Sequence, residues 1–143
     1  MEINFDLAGL KEFSDTLSKV TKAVGPDKVE PILLKGARKM ASHLRPAAPV
    51  GPTGNLKKAV IAKKLQRYGR NPAPSIAAIN RKKAPHAHLV ESGSGPRYHK
   101  RTGRYVGVMP KNPWFQRTEE KEKAGVLSGV VKDLQKEIEG AMK

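Results

Sequence analysis

Ala59-Val60-Ile61-Ala62-Lys63-Lys64-Leu65-Gln66-Arg67 and Ser75-Ile76-Ala77-Ala78-Ile79-Asn80 flank the link Tyr68-Gly69-Arg70-Asn71-Pro72-Ala73-Pro74, and how these three pieces are read decides the fold. The outer runs, 59–67 and 75–80, are the best strand candidates in the chain. The link between them carries strong turn chemistry in its Gly, Asn and Pro residues, so an antiparallel pair is expected. On both sides of this pair the apolar spacing changes to three and four, the period of a helix. Helices at the two ends with strands between them make an α+β domain.

Upstream, Leu7, Leu10, Phe13, Leu17, Val20 and Val24 form one apolar stripe, which predicts an amphipathic helix over 7–24. Asp6 suits its N-cap and Gly25-Pro26 its stop. Glu2-Ile3-Asn4-Phe5 is a candidate short strand before it. A second helix is expected from about Lys28 to Leu44, with Asp27 and Glu30 at capping-box spacing and Pro31 in its first turn. Its buried face would be Val29, Leu33, Gly36, Ala37, Met40 and Leu44, where small Gly36, Ala37 and Ala41 let another element approach closely. The run Pro46–Pro52 ends it, and Thr53-Gly54-Asn55-Leu56 reads as a turn, capped by Thr53, that leads into the first strand.

Downstream, Ala84 to Glu91 is expected to be a short helical segment. Ser92 to Met109, rich in Gly and bases, reads as a long loop or hairpin with Tyr105-Val106-Gly107-Val108 as a strand. After the breaker Pro110-Lys111-Asn112-Pro113, a last helix is expected from about Arg117 to Met142. Its stripe is Val126/Leu127, Val130/Val131, Leu134, Ile138 and Met142, and Gly125 and Gly129 weaken its middle by about 1 kcal/mol each relative to Ala. The expected fold is therefore α+β, with two N-terminal helices, a small antiparallel sheet with a long basic loop, and a C-terminal helix. One domain over 1–143 is expected: a helical region over 1–47, a basic strand and loop region over 48–110, and the C-terminal helix over 111–143.

The chain carries 28 Lys+Arg against 13 Asp+Glu, a formal charge of +15. Almost all of it lies in residues 49–118, which hold fifteen bases and a single acid, Glu91. Such a concentration predicts polyanionic or acidic partners. With no Cys there is no disulfide, thiol nucleophile or Cys-based zinc site. No apolar run approaches the ~18 residues of a membrane span, and residues 1–24 show no signal-peptide pattern, so secretion is not expected.

Candidate chemistries fail on spacing. Gly51 to Lys58 lacks the separation of a phosphate-binding loop. Ser94 between Gly93 and Gly95 is no nucleophile elbow. His86, His88 and Glu91 are the only metal-like cluster, and a third histidine, His43 or His99, would have to complete it. The plainer reading has His88 and Glu91 hydrogen-bonding on one helical face. Catalysis, a metal and a cofactor are not expected. Trp114 and Phe115, after Pro113, read as an apolar anchor just before the last helix. Lys57, Lys58, Lys63, Lys64, Arg67, Arg97, Arg101 and Arg104 are the leading candidates for partner or DNA contact, with Tyr68, Tyr98 and Tyr105 interleaved.

Three segments in order resemble one family: Ala48-Pro49-Val50-Gly51-Pro52-Thr53-Gly54-Asn55-Leu56, Ala84-Pro85-His86-Ala87-His88-Leu89-Val90-Glu91-Ser92-Gly93, and Asn112-Pro113-Trp114-Phe115. They are similar to signatures of the tail-component or neck proteins of lambda-like long-tailed phages, the gene-product-10-like minor tail family. The opening helix at Gly9-Leu10-Lys11, the long second helix and the closing helix match as well, so the resemblance spans nearly the whole chain. The chain departs from the family pattern at Gly51-Pro52, at Trp114, and in its long basic 94–109 segment.

The resemblance implies a structural virion protein, made in the host cytoplasm and placed in the neck or at the head-proximal end of the tail. It would complete or terminate the tail and join it to the head connector. A homo-oligomeric ring is implied, a hexamer first and a dodecamer as the alternative. Its expected neighbours are the tail tube protein and head–tail connector proteins, with nonspecific contact to channel DNA and none to a membrane. Thr53, Gly54, Leu56, His86, His88, Glu91, Gly93, Pro113, Trp114 and Phe115 would be structural motif residues, and the 94–109 loop an arm that orders on assembly. The rival from another class is a non-enzymatic nucleic-acid-binding protein, and a third reading is a metal hydrolase using His86, His88 and Glu91.

Overall fold

A computed structural model describes residues 7–141, with side chains from Gly9 onward. The candidate strand at 2–5, the Asp6 cap and Met142 lie outside the described residues. Among the described residues nine elements follow in order: α1 Leu7–Val24, α2 Pro26–Ala47, α3 Asn55–Ala59, β1 Val60–Lys64, β2 Ser75–Ile79, α4 Ala87–Ser92, β3 Ser94–Tyr98, β4 Tyr105–Met109 and α5 Trp114–Ala141. The α+β class holds. Instead of one small sheet with a loop there are two separate two-stranded antiparallel sheets, β1–β2 and β3–β4.

The first helix spans the residues that its stripe predicts. α2 begins at Pro26, two residues earlier than expected, because proline needs no N–H in a first turn. Its N-cap is Gly25, at φ +85°, so the capping box assigned to Asp27 and Glu30 does not form. Asp27 lies inside the helix, and Glu30 turns inward. α2 also runs through Pro46 to Ala47, beyond the expected end at Leu44.

Two core clusters are strung along α2 and α5. One gathers Val20, Val29, Val130 and Leu134, with Phe13, Leu17, Leu33 and Ile138 packed around them. The other gathers Ala41, Leu44, Leu56, Val60, Ala84 and Trp114 and carries the β1–β2 hairpin. The small residues act as expected: a Cβ built on Gly36 would overlap Cγ2 of Val130, so α2 and α5 approach where a side chain is missing. Lys35 and Asp133 tie the same pair of helices at 2.8 Å, and the Lys35 ammonium lowers the Asp133 carboxyl below its ordinary value.

Strands β1 and β2 are shorter than expected. The register runs from Val60 opposite Ile79 to Lys64 opposite Ser75. One further bond extends it at each end, Leu65 N–H to the Pro74 carbonyl at 2.8 Å and Asn80 N–H to the Ala59 carbonyl at 2.8 Å. α5 starts at Trp114, three residues before the expected Arg117, so Trp114 and Phe115 form its first turn rather than an anchor ahead of it. No helix among the described residues is long and apolar enough to cross a membrane.

Candidate assembly interface

Glu30 is 6 % exposed and is the one buried charged side chain among the described residues. Its Oε1 accepts from Arg67 Nε at 2.6 Å and from the Ala73 backbone N–H at 2.8 Å, and its Oε2 from Lys64 Nζ at 3.2 Å. Arg67 also donates to Asp27 at 2.5 Å. One carboxylate thus fastens the β1–β2 connection to the start of α2. The Arg67 hydrogen bond, then the Ala73 N–H, hold the Glu30 carboxyl down at about 2 against the opposing effect of burial, and Glu30 and Asp27 raise Arg67 further. Lys64 and Arg67, expected to meet partners, both pair with Glu30, Arg67 from a half-buried position and Lys64 from an exposed one. The sequence signal for this was available: no acid occurs from Pro31 to Val90, so Glu30 is the nearest upstream carboxylate for these bases.

Glu91 is the second carboxylate with an unexpected task. Its Oε2 accepts from Phe115 N–H at 3.1 Å and its Oε1 from Gln116 N–H at 3.0 Å. These are free donors in the first turn of α5, so Glu91 caps that helix from a distance and its charge suits the positive end of the dipole. The expected bond between His88 and Glu91 is therefore replaced. His86 and His88 are exposed, and the described residues include no group of three His, Cys, Asp or Glu able to hold a metal.

The segment after Glu91 is braced. Gly93 has φ +73°, and a Cβ there would come within 2.8 Å of Lys111 N and 2.9 Å of the Met109 carbonyl oxygen. Asn112 N–H donates to the Val90 carbonyl at 3.1 Å. Trp114, buried in the second core cluster, meets Phe115 edge-on with centroids 5.6 Å apart. Pro113 is half-buried and Leu56 buried. At the other motif the N-cap of α3 is Gly54, at φ +60°, and Thr53 stands one residue earlier, its hydroxyl accepting from Asn55 N–H at 3.4 Å.

From this root rises the β3–β4 hairpin. Ser94 pairs with Met109, Arg97 with Gly107 and Tyr98 with Tyr105, with bulges between them. The tip closes on itself through His99 N–H to the Arg104 carbonyl at 2.7 Å and Gly103 N–H to the His99 carbonyl at 2.8 Å. Of the two readings of this segment, loop or hairpin, the hydrogen-bonded hairpin is the one that forms, with its second strand at Tyr105–Met109. Its strands pair with each other and scarcely touch any other element. Tyr98, Tyr105, Val106 and Val108 are all more than half exposed, and the two tyrosine rings pack at 5.5 Å. Arg97, Lys100, Arg101 and Arg104 are exposed beside them, and no acid occurs from Ser92 to Thr118.

A family model described as "Bacteriophage HK97-gp10, putative tail-component" matches residues 11–93, more than half of the chain. The chain belongs to this family. The match runs from α1 through α4 and ends at Gly93, at the foot of the arm, so it is narrower than the resemblance read from the motifs. The arm and α5, including Asn112 to Phe115, lie beyond it. Comparisons with curated proteins and with solved structures give no match.

Proposed function

We propose that this tail-component family member is a non-enzymatic structural protein that assembles as a ring at the head–tail junction, completing the tail and joining it to the head connector. Family membership supports the tail. The observation that supports assembly is the free-standing hairpin. An isolated two-stranded sheet is marginal in water, and both its outer edges carry unpaired N–H and C=O groups. Exposed Tyr, Val and Arg give this hairpin both apolar surface and the aromatic and guanidinium groups that interface centres favour.

In a closed ring the contact is heterologous, so the arm of one subunit meets a different face of the next. Six subunits match the symmetry of a tail, and the tube protein and the connector are the neighbours on either side. Channel DNA is the further partner.

The test is deletion of residues 95–108. The expected product is a folded monomer that no longer forms rings by mass photometry or electron microscopy and leaves tails incomplete. Rings of normal size, or infectious particles from the deletion, would overturn the role of the arm.

A further inference from the structure

Five cations in two groups, distant from each other in sequence, come together at one end of the β1–β2 hairpin. Lys57 and Lys58 stand on α3, immediately before β1, while Arg81, Lys82 and Lys83 follow β2. The Asn80–Ala59 hydrogen bond closes the two ends against each other. Asn80 then shapes the turn that carries the second group. Its side-chain oxygen accepts from Lys82 N–H at 3.0 Å, and its carbonyl accepts from Lys83 N–H at 3.1 Å and Ala84 N–H at 3.0 Å. Leu56, Ala59 and Ala84 are buried beneath, so the platform is anchored in the core and the five side chains are exposed. None of the five has a side-chain ion pair or hydrogen bond among the described residues.

The chemistry of this patch differs from that of the arm. Within 55–59 and 80–84 no large apolar side chain is exposed, and four of the five cations are lysine. Protein interface centres are depleted in lysine and built around apolar or aromatic anchors. A lysine-rich surface without such anchors fits a partner that offers charge and no apolar surface, which is the phosphate backbone of a nucleic acid.

We infer that Lys57, Lys58, Arg81, Lys82 and Lys83 form a sequence-independent contact surface for the phosphate backbone of double-stranded DNA, separate from the protein-contacting arm. The inference rests on the junction reading only for the source of that DNA; the binding follows from the patch and needs no ring.

The experiment measures binding of the full chain to two unrelated 30-base-pair duplexes by fluorescence anisotropy at several salt concentrations. A patch engaging all five cations contributes a slope of about −4.5 in log K against log salt, a loss of ~500-fold in affinity between 50 and 200 mM salt. Expected results are equal affinity for both duplexes and a slope about four to five units shallower in the variant K57Q/K58Q/R81Q/K82Q/K83Q. The half-sets K57Q/K58Q and R81Q/K82Q/K83Q should each lose a share of it, and circular dichroism checks that all remain folded. The arm variant R97Q/R101Q/R104Q should keep the patch-dependent slope. An unchanged slope in the five-fold variant overturns the inference. So does equal binding to poly-glutamate of matched charge, which would mark an acidic-protein surface. A parent chain that binds both duplexes as expected yet forms no rings would instead count against the junction reading alone.

Discussion

The Glu30 carboxylate on α2 receives Arg67 Nε at 2.6 Å across 37 positions of sequence, and this contact fixes where the β1–β2 connection lies. Removing the charge should weaken the fold in a pH-dependent way. The Glu30 carboxyl ionises at about 2 in the folded chain and at its ordinary 4.5 when exposed, so the unfolded chain binds more protons between these values. The stability that this group contributes is therefore complete above about pH 4.5 and fades as pH falls toward 2. Glu30→Gln should be less stable than the parent at pH 7 by urea unfolding, and the difference should shrink across that acid window. A constant difference from pH 7 to pH 2.5 would contradict this.

Glu91→Ala should free two first-turn donors of α5 and cost roughly 1–2 kcal/mol, the range of a lost cap. For a chain of this size that is a melting temperature lower by about 2–8 °C. Glu91→Gln keeps an acceptor oxygen and should lose less. Hydrogen exchange should speed up first at Phe115 and Gln116.

Gly36 and Val130 make a separable pair. Gly36→Ala gains helix propensity of about 1 kcal/mol but pushes a methyl into a β-branched side chain in a packed seam, which costs about 1–3 kcal/mol. The single variant should be destabilised, and the same change combined with Val130→Ala should be close to the Val130→Ala parent. A double-mutant cycle reads the coupling, and additivity would show that the two helices adjust freely.

Gly93→Ala should disturb the root of the arm. The position has φ +73° and ψ 176°, a region that is essentially glycine's, and the new methyl would meet backbone atoms of Met109 and Lys111 that cannot rotate away. A loss of about 1–3 kcal/mol is expected, with faster exchange at Met109 and Asn112. Full stability with unchanged exchange would mean that the root rearranges at little cost.

How far the sequence could be read follows from the range of each interaction. The stripe from Leu10 to Val24 and the one through Val126, Val130 and Leu134 are local patterns, and the helices formed where they lie. The link from Tyr68 to Pro74 is likewise local turn chemistry, and β1 and β2 pair across it as expected. Element ends moved where a local rule had a competitor: Thr53 lost the cap to Gly54, and α2 accepted Pro26 and Pro46. The 94–109 segment is a glycine-rich basic run with too little apolar period to separate a loop from a hairpin.

By itself the sequence determined the α+β class, the family motifs up to Gly93 and a basic middle between near-neutral helices, since these depend on periodicity, turn residues and counted charge. Only the tertiary structure decided what the charges do. It buried Glu30 against Lys64 and Arg67, set Glu91 on the start of α5, gathered Lys57, Lys58 and Arg81 to Lys83 at one hairpin end, and left Tyr98 to Val108 standing free. Whether a charged side chain is paired or offered to a partner depends on which distant groups share its desolvated space. Packing settles that, because the cost of burying a charge is met only by partners brought near in three dimensions.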